Sequence, residues 1–143
     1  MGLDTTHGCW HGAYGAFNRW RNKLAEVAGY ELDIIGSETY RSETPVIDWG
    51  LVTAANIMGE WDAIPCRLDG SPDPLMLLIA HADCEGIIPT RFCDPLADRL
   101  TELLPALPAE ADRGHIGDWR QKTQTFIDGL REASEAGEDV EFH

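Results

Sequence analysis

Apolar residues recur at spacings of three and four in three stretches of the chain, each bounded by residues that start or stop helices. Phe17, Trp20, Leu24 and Val27 predict one apolar face of a helix over residues 13–28, with Gly29 as its stop. Arg19 and Lys23, four apart, share a face of that helix, and Arg21 projects elsewhere. Leu96, Leu100, Leu103 and Leu104 predict a second helix, started by Asp94-Pro95 and ended by Pro105 and Pro108. Trp119, Thr123, Phe126, Ile127, Leu130 and Ala133 predict a third over residues 119–136, capped by Asp118 and closed by Gly137. The short apolar run over residues 75–80 follows the cap pair Asp73-Pro74 and reads as a fourth, short helix.

The middle is less regular. Residues 31–73 mix β-branched and aromatic residues with Gly and Pro, and suit strands, a short helix after Asp48, or long loops. Leu68 to Pro74, with Asp-Gly and two prolines, is a turn. Residues 109–117 read as polar linker and residues 137–143 as a short acidic tail. The pattern predicts a mainly α, compact single domain over residues 1–143, with an irregular middle that has room for a small β-hairpin.

Composition narrows the function. The chain has 143 residues, 43% of them apolar, and a formal net charge of −14, so it can bury a core without disulfides. An excess of acids disfavours a phosphate-tracking nucleic-acid binder and adsorption to an anionic membrane. The longest apolar run, Leu75 to Ala80, is too short to span a bilayer, and the first residues lack a basic and then apolar leader. The expected location is the cytoplasm, or the host cytoplasm for a phage-encoded chain. Cys9, Cys66, Cys84 and Cys93 include no C-x-x-C pair, which removes thioredoxin-type chemistry and zinc ribbons.

The charge is uneven. Residues 1–30 hold two acids against three bases, whereas residues 31–143 hold 23 acids against 8 bases. The first segment is therefore a locally cationic island. Its aromatics, Trp10, Tyr14, Phe17 and Trp20, lie close in sequence to Arg19 and Arg21. Rings beside guanidinium groups suit a planar anion, and they equally suit a core helix with arginines whose heads reach water.

Two segments carry residue types that do chemistry. One is Thr6-His7-Gly8-Cys9-Trp10-His11, the other His81-Ala82-Asp83-Cys84-Glu85-Gly86. His7, His11, His81 and Cys84 would make a four-ligand set of the type zinc takes, although no standard zinc pattern has this arrangement. The second segment follows the rhythm of a calcium loop, with His81, Asp83, Glu85 and Gly86 at positions 1, 3, 5 and 6. The ends do not: His81 replaces the leading Asp and Phe92 the closing Glu, so calcium is disfavoured. The plainer expectation is a tight loop in which Asp83 accepts backbone N–H groups, Gly86 takes a left-handed turn and Ile88 plugs the core. Cys9, between His7 and His11, is the better nucleophile candidate by sequence, since an imidazole could act as base, but no catalytic residue is assigned.

The motifs resemble those of a family of small bacterial and actinophage proteins of unassigned function. The likeness rests on Met1-Gly2-Leu3-Asp4, His7, Trp10-His11-Gly12 and Phe17-Asn18-Arg19-Trp20-Arg21 with Leu24-Ala25. It continues at His81 to Gly86, where the family reads His-Ser-Asp-Cys-Asp-Gly, at Leu96 to Leu100, at Phe126 to Leu130 and at Gly137 to His143. It implies no activity; it pairs the N-terminal His/Trp/Arg block with the His81–Gly86 loop. Ala82, Glu85 and Arg91-Phe92 depart from the family pattern and weaken an oxygen-ligand metal role.

Three readings follow. The first is a non-enzymatic binding protein that sequesters a small anion such as a nucleotide between the N-terminal helix and the 81–86 loop. Its residues would be His7, Trp10, His11, Tyr14, Arg19, Arg21, His81 and Asp83. The second is an acidic module for a basic protein partner, including mimicry of nucleic acid toward a host enzyme. The third is a metal-dependent hydrolase with His7, His11 and His81 as ligands and Asp83 or Glu85 as base.

Overall fold

The computed structural model describes residues 2–29, 73–79, 81, 85–108 and 118–143. Most of them lie in helices: α1 (Tyr14–Val27), α2 (Leu75–Ile79), α3 (Thr90–Leu103) and α4 (Trp119–Ala136). Four short strands accompany them: β1 (Gly2–Asp4), β2 (His11–Ala13), β3 (Ile87–Ile88) and β4 (Val140–Glu141). The fold is mainly α, as the periodicity predicts. The expected hairpin within residues 31–73 and the linker 109–117 lie outside the described residues.

The helical stripes face one core. Ala16, Phe17, Trp20, Leu24 and Ala25 of α1 are buried, as are Leu96, Ala97, Leu100 and Leu103 of α3 and Phe126, Leu130 and Ala133 of α4. Fully burying a phenylalanine or leucine contributes about 1.5–3 kcal/mol. Thr123 belongs to the α4 stripe although it is polar. Its hydroxyl accepts from Trp20 Nε1 at 2.9 Å and donates to the Trp119 carbonyl at 2.8 Å, so neither polar side chain is buried unpaired.

The caps explain the helix ends. The Asp118 carboxylate accepts from the N–H groups of Arg120 and Gln121, and Gly137 closes α4 at φ 68°. Asp73, fully buried, accepts from the Leu75 N–H at 3.0 Å and pairs with Arg99 Nε at 3.1 Å. It thus starts α2 and ties it to α3.

One helix start differs from expectation. α3 begins at Thr90, not at Asp94-Pro95, and Pro95 lies inside it. The cap comes from elsewhere in the sequence: the Thr90 N–H donates to Asp139 Oδ1 at 2.9 Å. Pro95 costs α3 one main-chain bond.

The acidic tail contributes a short strand, Val140–Glu141. Val140 and Phe142 are buried, and β4 pairs antiparallel with β3. At the other end of the chain β1 pairs antiparallel with β2. The two pairs are stitched together by a bridge between Thr5 and Phe142 and by two 2.8 Å main-chain bonds between Asp4 and His143. Alternation puts Leu3, Thr5, Ile88, Val140 and Phe142 inside, and leaves Asp4, His11, Ile87, Glu141 and His143 outside.

Candidate functional site

The sequence-predicted site residues fall into separate groups. Trp10, His11 and Tyr14 lie where β2 runs into α1. Arg21 and His81 meet further along α1, about 10 Å away at 1.5 Å rise per residue. His7 sits against α4. Asp83 and Cys84 lie outside the described residues.

Arg21 works within the fold. Its guanidinium donates to the carbonyls of Leu78 (3.1 Å) and Ile79 (3.2 Å), to that of His81, and to Asn18 Oδ1, and it lies 4.6 Å from the Phe17 ring centroid. A cation there satisfies carbonyls that the end of α2 leaves open. So α1 meets His81 and the end of α2, through an arginine on backbone carbonyls.

His81 is buried. Its Nε2 donates to the Ile87 carbonyl at 2.8 Å, and its ring lies 4.0 Å from that of Phe142. Gly86 takes φ 99°, and a Cβ there would come within 3.0 Å of the His81 ring. Ile88 is buried. For these two residues the tight-loop expectation holds; Asp83, its third member, is outside the described residues.

His7 occupies the left-handed region (φ 59°), uncommon for a side chain other than Gly, in a 3-10 turn over Thr6–Gly8. Its Nδ1 lies 3.4 Å from Glu132 Oε1 and its Nε2 3.8 Å from Glu138 Oε1. His11 faces Asp4 instead, Nδ1 to Oδ1 at 3.5 Å, in the open. The three histidines thus point to different partners. Among the described residues no three His, Cys, Asp or Glu side chains stand gathered as a metal centre.

Cys9 is buried, and its environment opposes a nucleophile. Desolvation, and then the neighbouring Cys93, push its thiol up to about 12. Cys93 is pushed up to about 11, by burial first and then by Asp139 and Asp94. Neither sulfur carries useful thiolate at neutral pH. Cys9 packs on Gly129 of α4, where a Cβ would sit 2.5 Å from its sulfur.

Trp10 also belongs to the core. It stacks on Trp20 at 5.2 Å between centroids and meets Phe17 edge-on. Yet its Nε1, buried, has no hydrogen-bond partner among the described residues. That nitrogen lies 3.5 Å from where a Cβ of Gly12 would stand. Gly12 directly precedes Ala13, the N-cap of α1. Ala13 supplies no side-chain cap, and the first turn of α1 holds no acid. Ala13 and Gly15 are exposed. Among the described residues no side chain caps the first N–H groups of this helix. Lys122 of α4 brings its Nζ within 5.1 Å of the Trp10 ring centroid. Periodicity pointed to none of this for Lys122, although its spacing from Phe126 and Gly129 would place it beside the core. Arg19 is exposed on α1 and Tyr14 half-buried.

No protein-family model, no curated protein and no solved structure matches this chain. Among the described residues no helix is long and apolar enough to cross a membrane.

Proposed function

We propose that the protein is a non-catalytic binding protein that takes a small anion, such as the phosphate of a nucleotide, at the N-terminus of α1. The observation that carries this reading is the uncapped start of α1 beside an unpartnered, buried indole N–H. Helix N-termini present N–H groups and the positive end of the dipole, which together hold anions. Lys122 adds a cation over the Trp10 ring, and the residues at the helix start, Gly12, Ala13 and Gly15, are small. The site is narrower than the eight-residue set read from the sequence. Trp10, His11 and Tyr14 stay beside it, whereas Arg21 and His81 serve internal contacts.

Ala13→Asp tests the reading. An aspartate at the N-cap would stabilise α1 by about 1 kcal/mol. It would also occupy the same N–H groups and repel an anion. Calorimetric titration with inorganic phosphate and a nucleotide panel should show binding to wild type and at least tenfold weaker binding to this variant, with an unchanged or higher Tm. No heat from wild type at millimolar ligand, or equal binding by both proteins, would refute the site.

A specific observation also favours the acidic-module reading. Asp128, Glu132 and Glu135 are exposed along one stripe of α4, beside Asp94 and Asp98 of α3, which share Arg131 (2.8 and 2.6 Å). A basic peptide would bind there with steep salt dependence. Neutralising Glu132 and Glu135 to Gln should weaken a lysine-rich peptide more than neutralising Glu26 and Glu85. Equal weakening would mean that net charge, and not this face, attracts it.

A further inference from the structure

Trp10 is a donor held in place. Its ring stacks on Trp20, 5.2 Å between centroids, and meets Phe17 edge-on. An indole nitrogen donates one hydrogen bond and accepts none. Burying that N–H without an acceptor is unfavourable, and nearly all buried polar groups in folded proteins have a partner. Trp10 Nε1 is buried and has none among the described residues. The backbone beside it is Gly12, at φ 155°, a conformation that residues with a side chain rarely adopt. A Cβ on Gly12 would stand 3.5 Å from Nε1 and, chain neighbours aside, within 4 Å of no other atom of the described residues. Gly12 therefore leaves room for about one atom next to the orphan donor, and an oxygen there would close to the usual N···O distance of about 2.9–3.0 Å. Gly12 is half-buried, which places this room at the edge of the core.

We infer that Trp10 Nε1 donates to one oxygen of the bound anion through the room beside Gly12, and that the ligand carries a single phosphate, as a monoester or the free ion, and not a polyphosphate. This rests on the anion reading of the α1 start given above and names what that site selects. A group that only donates requires an acceptor, which a phosphate oxygen supplies and an ammonium or apolar group does not. Lys122 Nζ, 5.1 Å from the centroid of the same ring, sets a positive charge against the indole. The positive charge on offer is small: one lysine, and about half an elementary charge at a helix N-terminus. That nearly balances a phosphate monoester, which carries about 1.5–2 negative charges at neutral pH. A triphosphate brings further negative charge toward a chain of net charge −14. It also meets Asp4, exposed on β1 opposite His11, the residue before Gly12.

Nuclear magnetic resonance of the 15N-labelled protein tests this, since each of the five tryptophans gives its own indole N–H signal. The Trp10 signal is identified by its nuclear Overhauser contact with the Gly12 α protons. Inorganic phosphate, adenosine monophosphate and adenosine triphosphate are titrated in turn, without divalent metal, and calorimetry follows the same titrations. The Trp10 signal should move with phosphate and with the monophosphate, along the same saturation curve as the heat. The triphosphate should bind at least tenfold more weakly than the monophosphate. Whichever of phosphate and monophosphate binds tighter distinguishes the free ion from the ester, and either order supports the class. Trp10→Phe, which keeps a ring and removes the N–H, should bind phosphate at least tenfold more weakly; if it does not fold, the wild-type signal decides. A Trp10 signal unmoved at saturating phosphate, or triphosphate bound as tightly as monophosphate, would overturn the inference. If Ala13→Asp still removes the phosphate heat in that case, the anion reading stands and only the role of Trp10 and the selectivity fall. No heat from any of the three anions removes both.

Discussion

Gly129 shows how one residue sets the packing of two segments. Its missing Cβ lets Cys9 and the His7 carbonyl lie directly on α4; a methyl group would stand 2.5 Å from the sulfur and 2.8 Å from that oxygen. Neither neighbour is the loose end of a flexible side chain. Gly129→Ala would gain helix propensity of about 1 kcal/mol. It should nevertheless destabilise the protein by about 1–3 kcal/mol through overpacking, read as a lower urea midpoint. A helix of neutral or higher stability in that variant would mean that the 3-10 turn yields freely. Nothing in Phe126-Ile127-Asp128-Gly129-Leu130 says that a cysteine from the start of the chain will land there. Asp118 and Gly137 are the opposite case, since a cap acts on the residues beside it and reads directly from sequence.

Among elements, the contrast lies between the helices and the strands. α1 and α4 follow from their stripes and caps. β4 does not, because Val140 and Phe142 amount to two alternating apolar positions in an acidic stretch. Their partners, Ile88 and Thr5, are far away in sequence. Phe142 packs on Phe17 (5.8 Å) and on His81 (4.0 Å), and its N–H donates to the Gly86 carbonyl at 2.9 Å. One residue thus fastens β4 to α1, to the 81–86 loop and to the N-terminal hairpin. Phe142→Ala should cost about 3–5 kcal/mol. That is a large share of a stability of about 5–15 kcal/mol. Chemical denaturation should show it, and a loss under 1 kcal/mol would mark the strand as a dispensable tail. The start of α3 has the same lesson: Asp139 caps Thr90 from beyond α4, so the local pair Asp94-Pro95 misleads.

For the molecule as a whole, the buried thiols set an alkaline limit. In the unfolded chain a thiol ionises near its ordinary value of 9.0, whereas in the fold Cys9 waits until about 12 and Cys93 until about 11. The sign is that of raised folded values. The stability they contribute is whole below pH 9 and is lost as pH rises from there through 11 and 12. Native protein at pH 8 should leave both cysteines unmodified by iodoacetamide, with labelling only after denaturation, as peptide mass spectrometry would read. Rapid native labelling of Cys9 would mean that the N-terminal segment opens and would restore it as a reactive group. The acids contribute at the same scale. Asp128, Glu132 and Glu135 form an exposed stripe on α4 beside α3, while Lys122 stands over the Trp10 ring.

The sequence by itself determined the helical stripes and their inward faces, the caps at Asp73, Asp118 and Gly137, and the glycine turn at Gly86, though not where α3 begins. All of these depend on residues a few positions apart, and short-range periodicity and backbone preference are legible without a fold. Only the tertiary structure decided what the chemistry-bearing residues face. It put Arg21 on the carbonyls of α2, His7 between two glutamates and His81 under Phe142. It set His11 beside Asp4, and it left the Trp10 indole beside an uncapped helix start. Each of those outcomes is a contact between distant segments. The residue types announce the capacity for such a contact, and the packing of the whole chain selects the partner.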